Sequence, residues 1–267
     1  MIKLESKDYA KAIEPLGHVR INTLFAEAVI QKVIPGNVYV DDIISPRTFY
    51  IAHPFGMSLL FGEPADDLFR RELTDYITNK NKHRHHPEWL QIDPTSRWNE
   101  IIDAMASITR NTRVNFSFNR ELYFNQKEQF HNPDLKAVRV GQGQFRAGTA
   151  SVDPKFFWRD EEHFLAEGVG FTILEAGEIA STAFSAFCNH EQLEIGIESH
   201  EAYRGRGYAY SVCSALIDYC LSHQLEPVWA CRLDNKGSYH LAQRLGFEPS
   251  ILIPYYRLEN YVYEKGN

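Results

Sequence analysis

Six consecutive residues, Arg204-Gly205-Arg206-Gly207-Tyr208-Ala209, combine the ingredients of an anion cradle. Glycines let the backbone adopt positive φ and approach a bound group closely. Two arginines add cations that pair with phosphate oxygens. A strand-like run, Leu193-Glu194-Ile195-Gly196-Ile197-Glu198, precedes the loop, and a helix over 207–223 follows it. A helix start presents unpaired N–H groups and partial positive charge, which suits a phosphate. A pyrophosphate held there needs no metal. The spacing is not that of a P-loop, because GxxxxGK followed by Ser or Thr is absent. It also departs from GxGxxG, since Tyr210 stands at the third glycine position.

The helix after the loop is amphipathic. Val212, Leu216 and Cys220 form one apolar row and Ala209, Cys213 and Ile217 a second, while Ser214, Asp218 and Ser222 share the wetter side. Around it the spacing predicts a helix over 154–166 opened by Asp153, strands over 169–174, 179–187 and 193–198, a strand over 228–231 and a helix over 236–245. Strand-like segments at 251–256 and 261–264 close the chain. The first half shows the same order: a helix over 21–33 stopped by Pro35-Gly36, then strands over 38–44, 48–53 and 57–61. A helix over 65–78, a strand over 89–92, a helix over 96–106 and a strand over 114–118 follow. The first strands of the two halves start 169 − 38 = 131 residues apart. The expectation is a tandem of two related α+β units, 1–128 and 129–267, the first degenerate. Only the second carries the loop. At the matching place the first reads Gly62-Glu63-Pro64-Ala65-Asp66-Asp67, whose acidic residues repel a pyrophosphate.

Composition narrows the partners. The 267 residues carry 28 Lys+Arg and 35 Asp+Glu, a formal charge of −7, which argues against a nucleic-acid or anionic-membrane binder. The longest uncharged stretch, 48–62, has about 15 residues against the ~20 that span a bilayer. The N-terminus mixes charges and has no apolar signal region, so a soluble, cytoplasmic protein is expected. Apolar residues at 44% supply a sizeable core. Cys188, Cys213, Cys220 and Cys231 show no CxxC spacing and read as small buried hydrophobes. In His83-Arg84-His85-His86-Pro87 no carboxylate or Cys stands at paired ligand spacing, so no metal is expected.

The segment 193–247 resembles the acyl-CoA-binding core of the GNAT superfamily of N-acetyltransferases. Arg204, Gly207 and Ala209 occupy the fixed positions of the family loop Q/R-x-x-G-x-G/A. Asn235, Ser238, Leu241, Gly246 and Phe247 match the ending N-x-x-S/A-x-x-L-Y-x-x-x-G-F. The whole chain resembles a bacterial subgroup with an extra N-terminal domain. The resemblance implies a GNAT-type mixed central sheet flanked by helices, preceded by a degenerate GNAT-like α+β domain. It implies acetyl-CoA as co-substrate in a V-shaped gap between two parallel strands. Backbone groups near Ile197–Ser199 would meet the pantetheine arm. Gly205, Arg206, Gly207, Tyr208 and Ala209 would hold the pyrophosphate, with Arg204 and Arg206 as cations. Asn235 and Ser238 would meet the pantetheine end or an ordered water, and helix capping is the other reading of Asn235.

In this family a carboxylate on the strand before the loop often acts as base toward an amine acceptor. Glu194 and Glu198 share one face of a regular strand, and a bulge would change which points inward. Glu194 is the slightly favoured base; His190 and His200 are weaker candidates. The usual acid, a Tyr after the Leu of the second helix, is replaced by Ala242. Tyr239 lies about one turn earlier, and Tyr255 or Tyr256 could also approach. The resulting expectation is transfer of an acetyl group to a small-molecule primary amine. A non-catalytic acyl-CoA-binding module on the same fold is the other reading, and a homodimer stays open. The net acidic charge favours cationic acceptors such as polyamine-like or aminoglycoside-like amines.

Overall fold

The computed structural model describes residues 1–64, 67–105, 108–148 and 152–259. Two compact units emerge: Met1–Arg113 together with the chain from Leu252, and Val114–Ile251. The expected boundary at 128/129 is thus replaced by two crossings. One lies inside strand β6 (Thr109–Phe118) and the other inside strand β12 (Phe247–Leu258). The physical reason is where the apolar side chains go. Val114, Phe116 and Tyr123 pack into the second core with Trp229 and Phe247, whereas Tyr256 and Leu258 pack into the first with Leu90 and Trp98.

The first unit holds β1 (Ile2–Lys3), α1 (Ile13–Leu16), α2 (Leu24–Ile30), β2 (Asn37–Val40), β3 (Thr48–His53), β4 (Met57–Gly62), α3 (Asp67–Ile77), β5 (Glu88–Ile92) and α4 (Trp98–Asp103). Its strand order is β1-β2-β3-β4-β5-β12. β4 and β5 run parallel, pairing Met57–Leu60 with Trp89–Ile92. The end of β12 closes the unit antiparallel to β5, with Tyr255 opposite Gln91 and Leu258 opposite Glu88. Arg84, from the His-rich segment, is buried here. Its guanidinium donates to the carbonyls of Tyr76 (3.1 Å), Ile77 (2.7 Å) and Leu258 (3.1 Å), tying α3 to the returning strand.

The second unit continues with α5 (Arg120–Phe130), β7 (Val138–Arg139), α6 (Gln142–Ala147), α7 (Glu161–Glu167), β8 (Gly170–Glu175), β9 (Glu178–Cys188), β10 (Gln192–Ser199), α8 (Tyr208–Ser222), β11 (Glu226–Arg232) and α9 (Lys236–Arg244). Its strand order is β6-β11-β10-β9-β8-β7. Both units therefore contain a three-strand antiparallel meander, a helix and a strand parallel to the third, the mixed α+β class expected. The single helix expected over 154–166 is instead a 3-10 turn (Pro154–Phe156) and the separate helix α7. Asp153 and Asp160 each cap their own start. The helix α5 was not foreseen, although Asn119 caps it by accepting from Leu122 N–H. The strand segment expected at 261–264 lies outside the described residues.

Val212, Cys213, Leu216, Ile217 and Cys220 of α8 are fully buried against the second sheet, so the predicted apolar rows do face the core. Burial pushes the Cys188 thiol up to about 11 and the Cys220 thiol up to about 12, leaving both protonated and unreactive near neutrality. Replacing Arg84 by Ala removes three hydrogen bonds at once, and of their acceptors Tyr76 O keeps the Asn79 N–H. The expected loss is about 3 kcal/mol, read as a lower urea midpoint at unchanged m-value; a loss under 0.5 kcal/mol would show the strand is held by other means.

Candidate active site

The parallel pair β10 and β11 is joined only at its beginning. Gln192, Leu193 and Glu194 pair with Glu226, Pro227 and Val228. Beyond that point β10 runs on to Ser199 and β11 to Arg232 with no pairing between them among the described residues. The strands part where one backbone edge of each is left to other partners. On its other side β10 stays paired with β9 all the way to Ser199.

The β9–β10 register decides the two carboxylates. It steps from Glu194 opposite Phe187 to Ile195 opposite Ser185, so the extra residue, Ala186, lies in β9 and the alternation along β10 is unbroken. Glu194, Gly196 and Glu198 therefore share the face opposite the α8-packed Leu193 and Ile195. Gly196 is required by packing, since a Cβ there would stand 2.6 Å from the Phe184 ring. The two acids differ in setting. Glu194 is buried at 5% exposure, while Glu198 lines a cavity of ≈ 710 Å³ with Ser199, His200 and Arg204. The opposite walls of that cavity come from α6, from Gly148 and Val152–Pro154, and from the β8–β9 turn.

The loop has the geometry its glycines suggested. Gly205 and Gly207 lie at φ of +79° and +83°, the left-handed region, and among the described residues nothing lies within 4 Å of where a Gly205 Cβ would be. The first turn of α8 is closed by Ser211 N–H donating to Gly207 O, so the amides of Tyr208, Ala209 and Tyr210 stand at the open helix start. The Tyr208 side chain is turned inward, its hydroxyl donating to Glu175, which leaves only its backbone for the loop. The two cations separate. Arg206 lies over the Tyr203 ring at 5.4 Å, whereas Arg204 turns back along β10, donating to Ser199 O (3.3 Å) and standing 3.6 Å from Glu198 Oε1. Tyr203 in turn donates to Glu178, and that bond holds its hydroxyl above the ordinary tyrosine range.

Past the split, Asn235 caps α9 by accepting from Ser238 N–H, and the indole of Trp229 in β11 donates to Ser238 Oγ. Ile197 is half-buried against the α8 core, and Ser199 Oγ meets Ser181 Oγ at 2.8 Å. Tyr239 packs edge-on to Phe116 at 5.4 Å, and Ala242 is fully buried. His200 caps a 3-10 turn through Ala202 N–H; His190 is exposed. Tyr255 and Tyr256 belong to the first unit, stacked on Trp89 and bonded to Asp103 respectively. Among the described residues no helix is long and apolar enough to cross a membrane, and no three His, Cys, Asp or Glu side chains group to hold a metal. Thr182, Glu178 and Tyr203 join the site through the β-meander register, which loop spacing alone could not reveal.

A mixed sheet whose parallel pair parts beside a glycine-bearing helix start defines an acetyltransferase fold of the GNAT type. The family described as GNAT acetyltransferase matches residues 15–256, so the chain belongs to that family of acetyltransferases. It is 26% identical over 229 residues to the uncharacterized N-acetyltransferase YdfB of Bacillus subtilis (strain 168), spanning 84% of this chain and 86% of that one. The fold matches a GCN5-related N-acetyltransferase-like protein from Streptococcus suis 89/1591 (TM-score 0.71, 21% identity, 94% of this chain and 98% of that one). It also matches a tandem GNAT protein from the clavulanic acid biosynthesis pathway (TM-score 0.64, 10% identity, 98% and 99%).

Because Gly207 is left-handed and its nearest neighbour, Leu135 Cδ1, lies 3.6 Å from a Cβ, strain and not collision sets the cost of Gly207→Ala. The expected loss is about 1 kcal/mol by thermal unfolding. A neutral change would contradict the left-handed assignment.

Proposed function

We propose that the protein transfers an acetyl group from acetyl-CoA to a primary amine of a small molecule by direct attack in a ternary complex. The observation that carries this reading is the parting of β10 from β11 after Glu194, next to the open start of α8. The donor fits what the chain offers there. The space beside Gly205 is clear, the helix-start amides are open, and backbone groups of β10 beyond Glu194 are not engaged by β11. Bound acetyl-CoA supplies the activated thioester carbonyl.

The residues divide the work. Amides from Gly205 to Ala209 and the Arg206 guanidinium hold the pyrophosphate. The backbone of Ile197–Ser199 pairs with the pantetheine arm, and Asn235 and Ser238 border its far end. Glu198 accepts the proton from the attacking ammonium, directly or through one water, so that the nitrogen lone pair is free. A C–N bond forms as the C–S bond breaks, and the leaving thiolate takes up the second proton, which the acylated nitrogen gives up as it becomes an amide. A thiolate is a good leaving group, so the buried Ala242 at the usual Tyr position does not stop the reaction. Glu194 sits two pleats behind Glu198, sealed at 5% exposure, and supports that face.

Titration calorimetry with acetyl-CoA should show binding by the wild type and at least about tenfold weaker binding by Arg206→Glu. A wild type that binds none overturns the reading. In a thiol-release assay with a panel of amines, Glu198→Gln should lower kcat/KM about a hundredfold, with Tyr239→Phe within about threefold. A large loss in Glu194→Gln with Glu198→Gln unaffected would move the base to Glu194.

A further inference from the structure

The cavity that opens onto Glu198 carries an uneven set of charges. Asp153, Glu178 and Glu198 line it against one cation, Arg204. Two of these carboxylates are already engaged. Glu198 stands beside Arg204, and Glu178 is exposed and accepts from the Tyr203 hydroxyl. Asp153 is different. It is buried at 3% exposure, and among the described residues its side chain accepts only the Lys155 backbone N–H, at Oδ1 and 3.0 Å. No ion pair reaches it among the described residues. The Lys155 ammonium is drawn off to the carbonyls of Arg146 (2.9 Å) and Gly148 (2.6 Å). Oδ2 lies against Gly148, where any Cβ would collide with it, so a glycine makes room for the carboxylate in the cavity wall. A buried carboxylate with one neutral donor is undercompensated, and a cation entering from the cavity supplies what the fold does not. Around it the wall is apolar, from Val140, Phe145, Val152, Pro154 and Ile179.

We propose that the acceptor is an amine with a second positive charge across an apolar spacer, a straight-chain diamine or polyamine. Its non-reacting ammonium, which keeps its protons, pairs with Asp153, and its reacting nitrogen lies at Glu198. The hydrocarbon spacer runs along the apolar wall. This rests on the acyl-transfer reading for the identity of the reacting end, but the charge preference is a property of the cavity and can be measured apart from it.

The test is equilibrium binding to the full chain, without acetyl-CoA, of straight-chain diamines of four to twelve carbons, each against the monoamine of equal length. At least one diamine should bind about tenfold or more tightly than its monoamine. Asp153→Asn keeps an oxygen to accept the Lys155 N–H, so the turn remains capped while the charge is removed. This variant should bring each pair within about twofold and leave the melting temperature near that of the wild type. Equal affinities in the wild type, no binding by any member, or a preference that survives Asp153→Asn would overturn the proposal. Should Asp153→Asn unfold, Gly148→Ala, which displaces the carboxylate by contact, must abolish the same preference. Diamine preference without acetyl transfer would sink the transferase reading alone. Transfer with no diamine preference would sink the cation site alone.

Discussion

Parallel strands are held by evenly spaced peptide hydrogen bonds, so wherever two of them stop pairing, a row of backbone donors and acceptors is left needing partners. In this protein that happens after Glu194 and Val228, and the surrounding structure is arranged about the opening. β10 is kept extended by its intact ladder to β9, with Gly196 letting the Phe184 ring close beneath it. β11 is led away by Trp229, which is buried and bonded to Ser238 at the start of α9. Two helix starts flank the parted strands in sequence, α8 after β10 and α9 after β11. Each brings open amides and partial positive charge to a sheet end.

The first unit shows what the same element order does without that opening. β4 and β5 stay paired from Met57 to Leu60, nearly the full length of β5, so their peptide groups satisfy each other. Glu88, at the start of β5, is buried under the hydroxyls of Tyr50 and Tyr76, a closed polar network. The residue ending β4, Gly62, also has positive φ, at +85°, yet its backbone is pressed against Arg47 and Glu63 follows it. A left-handed glycine after a strand is therefore not enough. The opening also requires the neighbouring strand to leave and cations, not carboxylates, to follow.

How much of this could be read beforehand differs by residue. The loop, its two left-handed glycines and the helix behind it were legible, because glycine placement and a 3.6-residue apolar period are local signals. Glu194 and Glu198 were legible as a same-face pair but not as unequals. Phe187 stands opposite Glu194 and Thr182 opposite Glu198, and the cavity walls beside Glu198 are built by segments dozens of residues earlier. The strand crossings at β6 and β12 were not legible either. A run such as Ile253–Leu258 looks the same whichever sheet it completes, and register with Glu88–Gln91 is a long-range choice. Asp153 was legible as a cap and not as a cavity carboxylate, since capping is local and the cavity is not.

Arg204 shows why motif position and side-chain role must be kept apart. Its place in the family loop suggests a second phosphate cation, but its guanidinium points back along β10 to Ser199 O and Glu198. The open side of the loop is thus left to backbone amides and Arg206, and Arg204 faces the cavity side. The pair it makes with Glu198 spans 3.6 Å, with 61% and 22% side-chain exposure. A pair so exposed contributes about 0–1 kcal/mol, whereas breaking a buried one costs about 3–5 kcal/mol. On the proposed acyl-transfer reading, an arriving ammonium would displace Arg204 from Glu198 at little cost, while in its absence the carboxylate is not left without a counter-charge. A tighter, drier pair would guard Glu198 against any incoming cation as well as against the fold's own charges.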